Sequence, residues 1–194
     1  MTFVHEDAVV DPGVSVGSGC RVWAGAHLRE GASLGAECRV GEGVFIDTGV
    51  VIGARCKIEN GAMLFAGVRL EDNVFIGPGA ILTNDRLPRA TTPEGVLKGP
   101  RDWKVTATVV ARGASVGAAA VVVAGNHVGA WALVGAGAVV TRPVPAHALV
   151  AGNPAARLAW VCQCAVRLDE TLRCPGCGRS YTQGAAGLLA TSGR

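Results

Sequence analysis

The 194 residues carry 18 Lys and Arg against 15 Asp and Glu, and a formal charge of +3 is too small to argue for a nucleic-acid or membrane-surface partner. Apolar residues make up 49% of the chain but aromatics only 5%, the balance expected where Val, Ala and Gly fill a narrow interior. No run approaches ~18 uninterrupted apolar residues, and Met1-Thr2-Phe3-Val4 enters a repeat at once, so no leader peptide or membrane insertion is expected and cytoplasmic placement is the default.

From Val4 to Leu82 every sixth residue is Val, Ile or Leu, from Val4, Val10 and Val16 through Ile46, Ile52 and Ile58 to Leu70, Ile76 and Leu82. Neither the helical period of 3.6 nor the strand period of 2 gives a strict six. A hexapeptide repeat does, and it predicts a parallel β-helix. Four residues after each aliphatic stands a small one, such as Ala8, Cys20, Ala26, Cys38, Cys56 and Ala62. The position between them is mostly Gly, as corners with positive φ demand, with Asn73 where Gly is missing. The pattern resembles the hexapeptide-repeat acyltransferases. That resemblance implies a left-handed parallel β-helix with three hexapeptides per triangular coil, although crossover rules alone favour the right-handed form. On an eighteen-residue coil Cys20, Cys38 and Cys56 stack as buried, inert thiols.

After Thr83 the repeat breaks. The segment 84–104 carries three prolines and several basic residues and is predicted to be an extruded, functional loop. The repeat resumes at Val110 and runs through Val116, Val122, Val128 and Val134 to Val140, giving between six and seven coils in all. Asn126 occupies a small inward position and Trp131 a glycine position, both departures from the pattern. Pro143, Pro145 and Gly152-Asn153-Pro154 close the β-helix domain, residues 1–154. Ala155 to Trp160 reads as a short helix capping the open end. Cys162-Gln163-Cys164 and Cys174-Pro175-Gly176-Cys177 then outline a tetrathiolate zinc ribbon within 155–182, with disulfides or free thiols as the weaker alternative. The tail 183–194 is expected to be unstructured. The fold class is therefore all-β, a β-helix with an extruded loop, a small C-terminal helix and a zinc-ribbon-like segment.

Acyl transfer from a thioester needs a positioned nucleophile and a groove of small residues for the CoA arm. Gly135, Ala136, Gly137 and Ala138 supply such a wall. The segments Lys57-Ile58-Glu59-Asn60, Leu70 to Gly79, Leu82-Thr83-Asn84-Asp85 with Pro88-Arg89-Ala90, Val140 to Pro145 and Gly152-Asn153-Pro154-Ala155 resemble the nucleotide-sugar 3-N-acetyltransferases. These transfer acetyl from acetyl-CoA to the 3-amino group of a UDP- or dTDP-linked aminosugar used in bacterial surface polysaccharide. The resemblance covers roughly residues 4 to 160. It implies that the Asn84 amide is the key group, hydrogen-bonded to the substrate amine, in a homotrimer with the site between neighbours. An already nucleophilic amine needs orientation more than a strong base. Asp85 either accepts a proton or caps the loop. Asn60 is a candidate sugar contact. His27 follows Trp23 at the second position of a W-H-x-x-H pattern whose first His is here Ala24, and is a candidate for the sugar site. Arg89 and Lys98 in the loop, with Arg142 and Arg157 near the top, are candidate partners of nucleotide or CoA phosphates. The competing readings are O-acetylation, a non-catalytic scaffold, and a γ-class carbonic anhydrase relative, which needs converging histidines that this sequence does not gather.

Overall fold

A computed structural model describes residues 1–192, and three parallel sheets wrap one core. The first face stacks eight parallel rungs, from Phe3–Val4 and Arg21–Val22 up to Leu133–Val134 and Ala148–Ala151. The second face has seven rungs and the third has six, extended by a bridge from Val128 to Val144. The added top coil takes the prism beyond the six to seven coils expected from the repeat alone. It escaped the hexapeptide count because it is short: Val134 pairs with Val150, sixteen positions on, where lower rungs pair at eighteen, as Val4 does with Val22.

The six-residue period maps onto the structure directly. Aliphatics such as Leu28, Ile46, Leu64 and Leu82 and their small partners Ala26, Val44, Ala62 and Ala80 have no solvent exposure. From Gly13 to Gly79 the corner slot takes positive φ, in Gly25 (65°) and Gly61 (67°) and also in Glu37 (63°), Arg55 (56°) and Asn73 (62°). Cys20, Cys38 and Cys56 are buried free thiols, each 3.1 Å from a carbonyl of the coil above. Both departures from the pattern have local explanations. Asn126 is buried and donates its Nδ2 to the Val123 carbonyl at 2.7 Å. Trp131 adopts φ 59° and lays its ring over Gly113, where a Cβ would come within 2.3 Å of the ring.

The two ends of the prism differ. Val4 and Val10 stand in inward positions yet are 43% and 40% exposed, because no described residue covers the first coil. The top is capped, though not as expected. Ala156–Trp160 is a β-strand, antiparallel to Ala148–Ala151, and there is no helix among the described residues. Ala148–Ala151 presents unpaired backbone groups that only another strand satisfies, and a helix of six residues is too short to sustain itself.

The tail expected to be unstructured is also ordered as far as it is described, with residues 193–194 outside the described part. Ser180–Gly184 and Gly187–Ser192 form a hairpin. Tyr181 and Leu188 bury against Cys162 and Cys174 in a second small core. The hairpin tip straps onto the prism: the Ala146 amide donates to the Ala186 carbonyl at 2.9 Å, and the Leu188 amide donates to the Ala146 carbonyl at 3.1 Å. Only glycine fits at Gly187, where φ is 124° and a Cβ would lie 2.4 Å from the Ala146 nitrogen.

Candidate active site and metal centre

The break in the repeat is a 22-residue insertion: Leu70 pairs with Val110, forty positions on instead of eighteen. Its base is pinned where the coil would otherwise have continued. The Thr106 amide donates to the Asn84 carbonyl at 2.9 Å, and the Thr83 hydroxyl accepts from the Ala124 amide at 2.9 Å. Within the loop a short ribbon folds back on itself, with Thr91 bridged to Leu97 and the Lys98 amide donating to the Ala90 carbonyl at 3.0 Å. This fold-back brings Asn84, Asp85, Arg89, Lys98, Leu97 and Trp103 around one hollow of about 550 Å³, in the size range of small-molecule sites.

Asn84 is half-buried at the hollow, and its side-chain amide makes no hydrogen bond to any described residue. Both its donor and its acceptor are therefore available to a ligand. Asp85 Oδ1 accepts from the Leu87 amide at 2.8 Å, a turn-capping bond that leaves its Oδ2 at the hollow. Arg89 and Lys98 give the hollow a cationic side, and Trp103 gives it an aromatic one.

The remaining predicted residues lie elsewhere. His27 stands three rungs below Ile81 on the second face, about 14 Å from the loop at ~4.8 Å per rung. Its Nε2 is 3.1 Å from Asp11 Oδ1, and Arg29 links Asp11 to Asp47. The spacing reading missed Asp11; the signal was the lattice itself, which pairs His27 with Val9, two residues before it. Asn60 lines a separate groove and accepts the Glu42 amide at 3.1 Å through its side chain. Gly135, Ala136 and Gly137 reach the surface, whereas Ala138 is fully buried, so its methyl group cannot line a groove. Arg142 is exposed. Arg157 stacks over Trp160 at 4.3 Å beside a hollow of about 440 Å³ shared with His127 and the hairpin tip.

The four C-terminal cysteines converge. Their sulfurs all lie within 4.8 Å of one another, with Cys162–Cys177 at 3.4 Å, Cys164–Cys174 at 3.5 Å and Cys164–Cys177 at 3.7 Å. A tetrahedral Zn²⁺ with Zn–S of ~2.3 Å sets its sulfurs about 3.8 Å apart, so the donor set fits that ion. Burial resists ionisation of Cys162, but donors from the Cys164 amide and the Tyr181 hydroxyl overcome it and bring the thiol down to about 6. The Tyr181 hydroxyl lies 3.0 Å from that sulfur, and Arg179 Nη1 donates to Cys177 Sγ at 3.3 Å. Neither partner was evident from cysteine spacing. His147 joins this unit to the prism, its ring 4.6 Å from Tyr181 and its Nδ1 2.9 Å from the Val161 carbonyl. Burial holds the His147 imidazole below its usual range against that hydrogen bond. Among the described residues the histidines do not gather into a metal site.

Comparison with known proteins supports the repeat and extends it. Residues 13–48 match the bacterial transferase hexapeptide family (six repeats), and residues 31–66 match the hexapeptide repeat of succinyl-transferase. The dTDP-3-amino-3,6-dideoxy-alpha-D-galactopyranose 3-N-acetyltransferase of Aneurinibacillus thermoaerophilus is 42% identical over 77 residues, covering 38% of this chain and 40% of that protein. The acetyltransferase domain of PglB from Neisseria gonorrhoeae superposes with a TM-score of 0.51 at 25% identity over 81% of this chain and 58% of that one, and has also been solved with acetyl coenzyme A. A hexapeptide-repeat acetyltransferase of Vibrio cholerae, VCA0836, shares the fold with a TM-score of 0.57 at 21% identity, over 67% of this chain and 70% of that one. The chain thus spans under two thirds of the length of the first two. Its repeat, its three-sided coil and these likenesses make it a protein similar to the hexapeptide-repeat acyltransferases, and within them to an N-acetyltransferase of a dTDP-linked amino sugar.

Proposed function

We propose that the chain transfers acetyl from acetyl-CoA to the 3-amino group of a nucleotide-linked amino sugar. The observation that carries this reading is the Asn84 side chain, unpaired on a hollow whose lining includes two cations, a carboxylate and an indole. An amide oxygen there accepts an N–H of the neutral amine and turns its lone pair toward the thioester carbonyl. The amine nitrogen adds to that carbonyl, the CoA thiolate leaves, and the amine's extra proton passes to the thiolate or to water. Because Asp85 is engaged by the Leu87 amide, its part in this reading is to hold the loop shape around the sugar. Arg89 is assigned to the substrate phosphates, and Asn60 and His27 to substrate contacts made across a homotrimer by a neighbouring copy.

The CoA arm is assigned to the exposed backbone of Gly135, Ala136 and Gly137, with Arg142 and Arg157 for its phosphates. Cys162, Cys164, Cys174 and Cys177 are assigned a structural Zn²⁺, which supplies cross-linking and no chemistry at the reacting carbon. Incubation with acetyl-CoA and a panel of UDP- and dTDP-3-amino sugars, following thiol release, tests the reading. Turnover on at least one member is expected; thiol release on none of them, with no binding of CoA, removes it.

A second reading, O-acetylation, is favoured by the contact of His27 Nε2 with Asp11 Oδ1. A hydroxyl nucleophile needs its proton removed, and a carboxylate-oriented imidazole does that. Under this reading His27→Gln abolishes turnover of a hydroxyl substrate; under the first it alters KM more than kcat.

A further inference from the structure

On the first face of the prism, Arg21, Arg39 and Lys57 stand directly above one another, with Arg21 opposite Arg39 and Arg39 opposite Lys57 in register. All three are exposed, and none forms an ion pair within 4 Å with any described carboxylate. Like charges placed directly opposite on adjacent strands destabilise a sheet, so the column is not there for the fold's benefit. It would be relieved by an anion lying along it.

Beside the column is an aromatic wall. Trp23 is 41% exposed, and Phe3 supports it from below with ring centroids 5.5 Å apart. Trp23, Arg39, Lys57, Glu59 and Asn60 line one groove of about 320 Å³ floored by Gly41. The floor must be glycine: a Cβ there would lie 2.3 Å from Asn60 Oδ1. Glu59 shares the groove without reaching either cation, so it leaves their charge free while offering an acceptor to a sugar or base. An exposed indole stacks any base, and flanking guanidinium and ammonium groups take phosphates.

We propose that this groove is a binding site for a nucleoside phosphate, the base against Trp23 and the phosphates on Arg39 and Lys57 with Arg21 adding to the field. The site lies apart from the loop hollow, and its occupation needs no acetyl transfer. Two classes of molecule carry the required chemistry, a pyrimidine nucleoside diphosphate and a 3′-phosphorylated adenosine nucleotide, each bound here in addition to the contacts assigned above to Arg89, Arg142 and Arg157. Titration of the full chain with UDP and, separately, with adenosine 3′,5′-bisphosphate, followed by calorimetry, tells them apart. At least one is expected to bind, more weakly at higher salt, with at least a tenfold loss in Arg39→Ala/Lys57→Ala and in Trp23→Ala. The same affinity is expected in Arg69→Ala/Arg112→Ala, which removes two cations from a separate groove of the prism. Removing the in-register repulsion should leave the melting temperature of Arg39→Ala/Lys57→Ala equal to or above wild type, which keeps misfolding separate from lost binding. Binding of neither nucleotide, or unchanged affinity in the groove variants, overturns the proposal.

Discussion

Asn84 gives its backbone carbonyl to the Thr106 amide at 2.9 Å while its side-chain amide stays unpaired beside the loop hollow. One residue thus closes the neck of the insertion with its main chain and faces the cavity with its side chain. The two roles separate under mutation.

Asn84→Ala keeps the main-chain bond and loses only the amide. The melting temperature should stay within about 2 °C of wild type, since the side chain makes no internal hydrogen bond. Turnover of an accepted amino sugar should fall about 100-fold, the scale expected when a nucleophile loses its orientation. Steady-state kinetics beside a thermal melt checks both, and full activity in the variant would move the chemistry to another residue.

The sulfur cluster makes a separate prediction. Purified chain should contain about one zinc per subunit by elemental analysis, and Cys174→Ser should lose it. Because Cys162 and Cys174 share a small core with Tyr181 and Leu188, metal loss should expose that core while the hexapeptide coils persist. Hydrogen exchange should then rise across residues 161–192 and stay low at Ile46 and Leu64.

Gly187→Ala places a methyl group against the Ala146 backbone in a conformation that L residues avoid. A destabilisation of the hairpin of about 1–3 kcal/mol is expected, of the size seen for overpacked sites. Amide exchange at Ala146 and Leu188, the two donors that strap the tip, reports it directly. Unchanged protection there would show that the strap bears no strain.

His147 gives the C-terminal unit a pH response. Its folded value lies below the ordinary 6.5, so the unfolded chain binds the extra proton in the window beneath 6.5. The contribution is therefore fully present above 6.5, is lost as pH falls through that value, and levels off below the folded value. Acid also releases metal from thiolates, so the measurement is a difference: urea midpoints of wild type against His147→Gln from pH 5 to 8. The two curves should diverge on the acid side of 6.5; parallel curves would remove His147 from the account.

The inward aliphatics and the corner conformations were legible in the sequence because one side chain per six faces a narrow interior, and errors there would be visible as gaps. Even Asn126, which broke the pattern, kept its inward place by donating to the Val123 carbonyl. The strand at Ala156–Trp160 was not legible. Its conformation is fixed by the unpaired edge of Ala148–Ala151, which local propensity does not see. The hairpin from Ser180 was hidden for a related reason: its small, polar composition suggests disorder, and what orders it are distant partners, the cysteines against Tyr181 and Leu188 and the Ala146 backbone at its tip. At the site, Asn84, Asp85 and Arg89 were found together because they flank the break in the repeat. His27 and Asn60 were placed by motif position alone, and the structure sets them on other surfaces of the same chain.

The open first coil gives the molecule a direction. At Ala148–Ala151 the backbone ladder is already occupied by a returning strand, whereas the lowest rung is paired only on its upper side, where the Phe3 amide donates to the Cys20 carbonyl at 2.9 Å. A rung stacked from below would have to adopt the register already written in the pairing of Phe3 with Arg21.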